Sequence, residues 1–209
     1  MPPVVGFYNY TVLLTYFGVV SAILGIGFAA AGDPKLAVVC LMVSGFCDLF
    51  DGTVARTRER TVPEKKFGIQ IDSLADLICF GVLPVAIGHA VGLTRWYEMA
   101  PLSLYTLAAL IRLAYYNVTE DELQNEKKQK RTHYEGMPVT TAALLFPMLF
   151  TVEPFMGDGF RYLYLGWALL IATAFLVKIK VKKLGMIGMC AAALVGATVL
   201  VLLILYWNA

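Results

Sequence analysis

Residues 47–81 read CDLFDGTVARTRERTVPEKKFGIQIDSLADLICFG and place four aspartates in two largely apolar stretches. Asp48 and Asp51 are three residues apart, and Asp72 and Asp76 are four apart, so each pair occupies one face of a helix. A polar connection joins the two helices, which makes them antiparallel neighbours. A rise of about 1.5 Å per residue then puts Asp51 level with Asp72, and Asp48 level with Asp76. We expect the four carboxylates to converge.

Such a group of anions needs a neutralising cation. One aspartate at the centre of a spanning helix already costs about 2.5–3.5 kcal/mol on insertion scales. Arg112 is the only basic residue clearly inside an apolar run, and pairing of basic residues with the aspartates is the alternative to a metal. Carboxylate oxygens favour Mg²⁺, Mn²⁺ or Ca²⁺ over zinc, and of these we expect a pair of Mg²⁺ or Mn²⁺ ions. Mg²⁺ usually completes its shell with substrate phosphates, which predicts a diphosphate-bearing, lipid-soluble substrate.

The composition predicts that most of the chain lies in lipid. Of the 209 residues, 59% are hydrophobic and 15% are charged, against about 25% charged in soluble domains. Seven apolar runs are candidates to cross a bilayer, at 8–31, 35–54, 69–93, 98–118, 137–152, 160–178 and 184–207. We therefore predict an all-α polytopic membrane bundle of about seven (six to eight) transmembrane helices. We expect residues 1–209 to form a single catalytic domain.

Two further features concern the ends of the spans. The N-terminal stretch MPPVVGFYNY lacks a basic region, so the first apolar run is expected to be a retained span rather than a signal peptide. With the N-terminus inside, the inner connections hold thirteen of the seventeen Lys and Arg residues and the outer connections hold three. This asymmetry predicts a cytoplasmic position for the aspartates. The polar segment 119–136 is either a short interfacial helix or a solvated loop that contacts anionic lipid.

Small residues accompany the aspartates. Gly52, Ala55 and Gly68 either let helices pack closely or leave room for a substrate, and Arg56 is placed to hold a phosphate. The four cysteines are expected to be small buried hydrophobic residues because none has zinc-type spacing: Cys40, Cys47, Cys79 and Cys190. The net charge of +2 says nothing about a nucleic-acid partner, and we expect none in a chain that lies mostly in lipid.

The pattern from Asp48 to Asp76, D-x2-D-G-x2-A-R-x11-G-x3-D-x3-D, resembles the signature of the CDP-alcohol phosphatidyltransferases. Three longer stretches resemble the bacterial phosphatidylserine synthases within that family: FGIQIDSLADLICFGVLPVAIG, IRLAYYNV and YEGMPVTTAALLFP. The resemblance implies transfer of a phosphatidyl group from CDP-diacylglycerol to an alcohol, here L-serine, with release of CMP. It also implies a multi-pass protein of the bacterial plasma membrane that forms a homodimer.

The resemblance also assigns residue roles. Asp48, Asp51 and Asp72 match the family's metal ligands, and Asp76 completes the site and matches the proposed general base. The matches to the CDP-diacylglycerol pocket are the small residues and one arginine: Gly52, Ala55, Gly68 and Arg56. Two features depart from the family. The connection of eleven residues between that arginine and the next glycine is long, and Val12 stands where an Asn often precedes the Thr that Thr15 matches.

The acceptor side is assigned to residues 98–147. Arg112 is expected to bind the serine carboxylate or a phosphate, and its ion pair with one of the aspartates is the alternative. Weaker candidates are Asn117, Tyr134 and Glu135, and we expect no catalytic role for His89 and His133.

Three other functions stay open. A sister enzyme of the family would use glycerol phosphate or inositol phosphate as acceptor. An intramembrane prenyltransferase also holds a metal diphosphate between helical aspartates, and a cation-coupled transporter also carries membrane carboxylates.

Overall fold

The computed structural model describes residues 6–8, 10–55, 57–125, 133–178, 180–182 and 185–205, most of them helical. Helices α1 to α9 are, in chain order, Leu13–Ala30, Pro34–Ala55, Val62–Asp76, Leu83–Ala90, Trp96–Asn125, Ala142–Phe150, Glu153–Met156, Phe160–Leu176 and Met186–Leu205. A π-helical segment, Leu77–Val82, joins α3 to α4 without a break. Short 3-10 turns, Tyr10–Val12, Val139–Thr141 and Gly157–Gly159, precede α1, α6 and α8. Two strands, β1 (His133–Glu135) and β2 (Lys180–Lys182), form an antiparallel ribbon.

The helices confirm the predicted polytopic, all-α membrane architecture. Within the described ranges, five helical segments are long and apolar enough to cross a membrane: Leu13–Ala30, Pro34–Val54, Val62–Ala90, Glu153–Leu176 and Gly188–Leu205. The predicted run at 137–152 forms the shorter apolar helix Val139–Phe150. The predicted run at 98–118 lies inside α5, which is not among the five because polar residues interrupt its apolar ones.

The third span begins earlier than predicted. We expected a charged loop as far as Lys66, but α3 starts at Val62. The side chain of Thr61 accepts a hydrogen bond from the Glu64 backbone, and the Glu64 side chain accepts one from the Thr61 backbone. This capping box satisfies free N–H groups of the first turn, and Pro63 suits the first turn because it has no N–H to satisfy. The long connection of the sequence pattern is therefore partly helical.

Helices α1 and α2 pack closely through small residues. The Ser44 hydroxyl donates to the Gly18 carbonyl over 2.9 Å, and the Ser21 hydroxyl donates to the Cys40 carbonyl over 3.0 Å. A Cβ atom at Gly25 would lie 2.8 Å from the Cys40 Cβ, too close for any larger residue. Small residues and interhelical hydrogen bonds are how helices associate in lipid. This contact fixes α2, which carries Asp48 and Asp51, against α1.

The aromatic part of the core lies where α5, α6 and α8 meet. Tyr105, Phe146, Tyr164 and Phe175 are almost fully buried. The ring centroids of Tyr105 and Phe146 are 5.5 Å apart, and those of Phe146 and Tyr164 are 5.0 Å apart. Such aromatic pairs stabilise the packing beyond their buried area. This core is the support against which the π-helical segment rests.

Hydroxyl groups from the core satisfy the carbonyls at the π-helical segment. Pro84 has no N–H to offer the Phe80 carbonyl four residues earlier, and the Tyr105 hydroxyl donates to that carbonyl over 2.6 Å. The Thr106 hydroxyl donates to the Gly81 carbonyl over 2.7 Å, and the Tyr164 hydroxyl to the Pro84 carbonyl over 2.6 Å. These bonds hold the helix in place immediately after Asp76.

The polar segment 119–136 forms no separate helix in its described part. Residues 119–125 continue α5, residues 126–132 lie outside the described residues, and 133–135 form β1. The partner strand β2 lies in the predicted basic loop near residue 180, with Glu135 opposite Lys180. The ribbon therefore joins the α5–α6 connection to the α8–α9 connection.

Candidate active site

Two helices bring four aspartates around one cavity. Asp48 and Asp51 lie on α2, and Asp72 and Asp76 lie on α3, all partly buried. One carboxylate oxygen from each of Asp48, Asp72 and Asp76 lies within 4.8 Å of the other two. Asp51 interacts with Asp72, and Asp48 with Asp76, the same pairs that their equal depths predict.

The cavity is small, about 10 Å³, and is lined by α1, α2, α3 and the π-helical segment. Thr15 on α1 donates to an oxygen of Asp51 over 3.2 Å, and Asp48 interacts with the Thr140 hydroxyl. Thr15 is the residue that matches the Thr of the family's first-helix pattern. The structure puts this residue directly against the carboxylates.

No basic side chain neutralises the four aspartates among the residues that the structure describes. Ion pairs in that part of the chain are Lys35–Glu153 and Arg58–Glu64, and neither involves this cluster. The described group with metal-binding geometry contains oxygen ligands alone, although Cys47 and Cys79 also line the cavity. A hard divalent cation such as Mg²⁺ or Mn²⁺ fits this donor set.

The two signature glycines have different surroundings. A Cβ atom at Gly52 would meet nothing within 4 Å, so the backbone faces open space at the end of α2. A Cβ atom at Gly68 would lie 3.0 Å from a guanidinium nitrogen of Arg60. The sequence did not single out Arg60. Arg56 and the side chain of Ala55 lie outside the described residues.

Arg112 is buried and binds backbone carbonyls. Its guanidinium donates to the carbonyls of Met137 over 3.3 Å and of Gly136 over 3.4 Å, and it lies 5.8 Å from the ring centre of Tyr116. It forms no ion pair with any of the four aspartates, all of which are described, so that alternative is wrong. Arg112 on α5 thus binds the backbone of the two residues that follow β1, Gly136 and Met137.

The remaining candidates fall in three places. Asn117 on α5 accepts a hydrogen bond of 2.9 Å from Ser73, the residue after Asp72. Tyr134 and Glu135 belong to β1, and their side chains lie outside the described residues, as does that of His133. His89 lies in the last turn of α4, outside the cavity lining.

Comparison with known proteins identifies the family of the sequence that forms this cavity. The sequence model described as CDP-alcohol phosphatidyltransferase matches residues 8–179, which include all four aspartates. The chain belongs to the CDP-alcohol phosphatidyltransferase family. The predicted resemblance is therefore confirmed at the level of the family.

Three relatives in this CDP-alcohol phosphatidyltransferase family are each named CDP-diacylglycerol–serine O-phosphatidyltransferase. The Saccharomyces cerevisiae protein is 36% identical over 148 residues, covering 68% of this chain and 52% of the relative. The Mycobacterium tuberculosis protein is 28% identical over 147 residues, covering 70% and 50%. The Helicobacter pylori protein is 27% identical over 186 residues, covering 85% and 73%. The chain thus spans about half the length of the first two relatives.

Proposed function

We propose that this protein transfers the phosphatidyl group of CDP-diacylglycerol to the hydroxyl of L-serine, forming phosphatidylserine and releasing CMP. The observation that carries the proposal is the convergence of four aspartates around one cavity between membrane-spanning helices. The family signature supports the reaction type, and the names of the relatives support serine as acceptor. Within the described residues Arg112 is the only buried basic side chain, fewer than a phosphorylated acceptor calls for.

The aspartates are the proposed metal ligands. Asp48, Asp72 and Asp76 offer oxygens close enough together to share one ion, and Asp51 borders the same space. Bound Mg²⁺ or Mn²⁺, in one or two ions, would neutralise the diphosphate and polarise the phosphorus under attack. The hydrogen bond from Thr15 would hold Asp51 in its orientation toward the cavity.

Asp76 is the proposed general base. The serine hydroxyl oxygen attacks the phosphorus of the phosphatidyl group, and the bond from that phosphorus to the CMP oxygen breaks. The hydroxyl proton passes to the Asp76 carboxylate, and CMP leaves with the electron pair of the broken bond. Asp76 stands at the junction of α3 with the π-helical segment, where the core hydroxyls fix the backbone. A positioned base of this kind contributes typically 10²–10⁴-fold to the rate.

The substrates would occupy the two sides of the aspartates. Open space at Gly52 leaves room for the nucleotide of CDP-diacylglycerol, and Ala55, Arg56 and Gly68 are the other proposed residues of its pocket. Arg112 is the proposed contact on the acceptor side, where it would bind the serine carboxylate or a phosphate. The diacylglycerol chains would remain among membrane lipids.

The distribution of basic residues supports a cytoplasmic site. The α2–α3 connection contains Arg58 and Arg60, and the first turns of α3 contain Lys65 and Lys66. Because basic connections face the cytoplasm, we propose that the cavity opens to that side of a bacterial plasma membrane. We also propose a homodimer, on the resemblance to the family alone.

The test is a transfer assay with the purified protein. CDP-diacylglycerol, Mn²⁺ or Mg²⁺ and L-serine are expected to yield CMP and phosphatidylserine in equal amounts, detected by chromatography and mass spectrometry. Glycerol phosphate and inositol phosphate are the competing acceptors. CMP release with one of them and not with serine would identify a sister enzyme, and no release with any alcohol would overturn the transferase.

A further inference from the structure

Arg60, in the connection between α2 and α3, places its guanidinium against Gly68 of α3. One of its guanidinium nitrogens lies 3.0 Å from the place that a Cβ atom of Gly68 would take. Gly68 and Asp72 are four residues apart on α3, so they share one helix face. The helical rise puts Gly68 about 6 Å from Asp72 along the axis. The guanidinium therefore lies about one helical turn from the acidic cavity.

The charge of Arg60 is not compensated within the described part of the chain. Its side chain is partly buried, yet none of the hydrogen bonds or ion pairs there involves it. Arg58, two residues earlier, is exposed and pairs with Glu64 over 3.5 Å. The Glu64 carboxylate also accepts hydrogen bonds from the backbone N–H and the hydroxyl of Thr61. The Glu64 carboxylate therefore already interacts with Arg58 and Thr61.

We propose that Arg60 binds the diphosphate of CDP-diacylglycerol on the side away from the metal ligands, an inference that rests on the proposed function. A guanidinium presents two parallel N–H groups that match the oxygens of a phosphate. The absence of a side chain at Gly68 lets this group lie against α3 rather than out in solution. A diphosphate held between a divalent ion bound by Asp72 and the guanidinium of Arg60 would meet positive charge at each end.

The carboxylate of serine is the competing anion. The diphosphate is favoured because Arg60 lies on the Gly68 face of α3, about one helical turn from Asp72, a proposed metal ligand. Arg112 on α5 lies instead against the carbonyls of Gly136 and Met137 and is not part of the cavity lining. We therefore assign Arg60 to CDP-diacylglycerol and Arg112 to the acceptor.

The experiment compares Arg60→Gln with Arg58→Gln in the full-length purified protein. The two variants lose the same charge two residues apart, and only the first loses the guanidinium beside Gly68. We measure the KM for CDP-diacylglycerol at saturating serine and the KM for serine at saturating CDP-diacylglycerol. Calorimetric titration with CDP and Mg²⁺, without serine, measures nucleotide binding independently of turnover. Thermal unfolding in detergent checks the fold of each variant.

Arg60→Gln is expected to raise the KM for CDP-diacylglycerol and the Kd for CDP about tenfold, as for loss of one charge-assisted hydrogen bond. Arg58→Gln is expected to leave both constants near those of the unsubstituted protein, and Arg60→Lys is expected to recover part of the loss. A rise in the KM for serine alone would reassign Arg60 to the acceptor and overturn the proposal. Equal constants for the two glutamine variants would overturn it as well. If no alcohol supports turnover but CDP binding still depends on Arg60, the proposed function fails and the arginine site stands.

Discussion

The hydroxyl of Tyr105 donates a hydrogen bond of 2.6 Å to the Phe80 carbonyl, which Pro84 leaves without its helical donor. Both groups are buried, so a phenylalanine at position 105 leaves an unsatisfied carbonyl in the core. We expect Tyr105→Phe to lower the free energy of unfolding by about 1–3 kcal/mol, measured by thermal unfolding in detergent. Tyr162→Phe is the control because Tyr162 is exposed and bonds only at the surface. Equal stability of the two variants would show that the carbonyl does not need the hydroxyl.

Gly52→Ala tests whether the open space at the end of α2 receives the nucleotide. No neighbouring atom opposes the added methyl group, and alanine favours a helix over glycine by about 0.5–1 kcal/mol. We expect the variant to be at least as stable as the unsubstituted protein and to show a KM for CDP-diacylglycerol about tenfold higher. Gly166→Ala on α8 adds the same methyl group at another open position. Unchanged kinetics for Gly52→Ala would place the nucleotide elsewhere.

Asp76→Asn tests the general base. The amide keeps the shape of the side chain but accepts no proton, so we expect kcat to fall about 10²–10⁴-fold. CDP binding, measured by calorimetry with Mg²⁺, should be largely retained because three aspartates remain. Asp158→Asn, at an exposed turn outside the cavity lining, should leave kcat unchanged. Turnover near the normal rate in Asp76→Asn would assign the proton to another group.

Metal removal tests the ligand set. We expect EDTA to abolish CMP release and added Mg²⁺ or Mn²⁺ to restore it, because no described basic residue balances the carboxylates. Asp48→Asn should raise the metal concentration for half-maximal activity about tenfold or more, as expected when one ligand loses its charge. Cys47→Ala should keep the normal requirement, since its thiol lines the cavity outside the ligand group. A metal requirement unaffected by Asp48→Asn contradicts this ligand set.

The sequence was sufficient for the pairing of the aspartates because helical periodicity and a direct connection between antiparallel helices determine which residues are level. The sequence also contains the capping box of Thr61 and Glu64, which marks the start of α3. The prediction of a loop as far as Lys66 did not use this signal. Other features depend on partners far along the chain. The π-helical segment relies on donors from α5 and α8, and strand β1 pairs with residues about 45 positions later. Neither local propensity nor hydrophobic periodicity contains such information.

The π-helical segment Leu77–Val82 also sets the rotational phase of one continuous helix. Its wider turns accommodate an extra residue, and each residue of an α-helix turns the chain by about 100°. The acidic half before the segment can therefore face Asp48 while Leu83 and Ile87 after it face the core. Deleting a single residue between 77 and 82 would tighten the segment into an ordinary helix. One half would then turn by about a quarter of a circle, so that either the carboxylates leave the cavity or the apolar side chains leave the core.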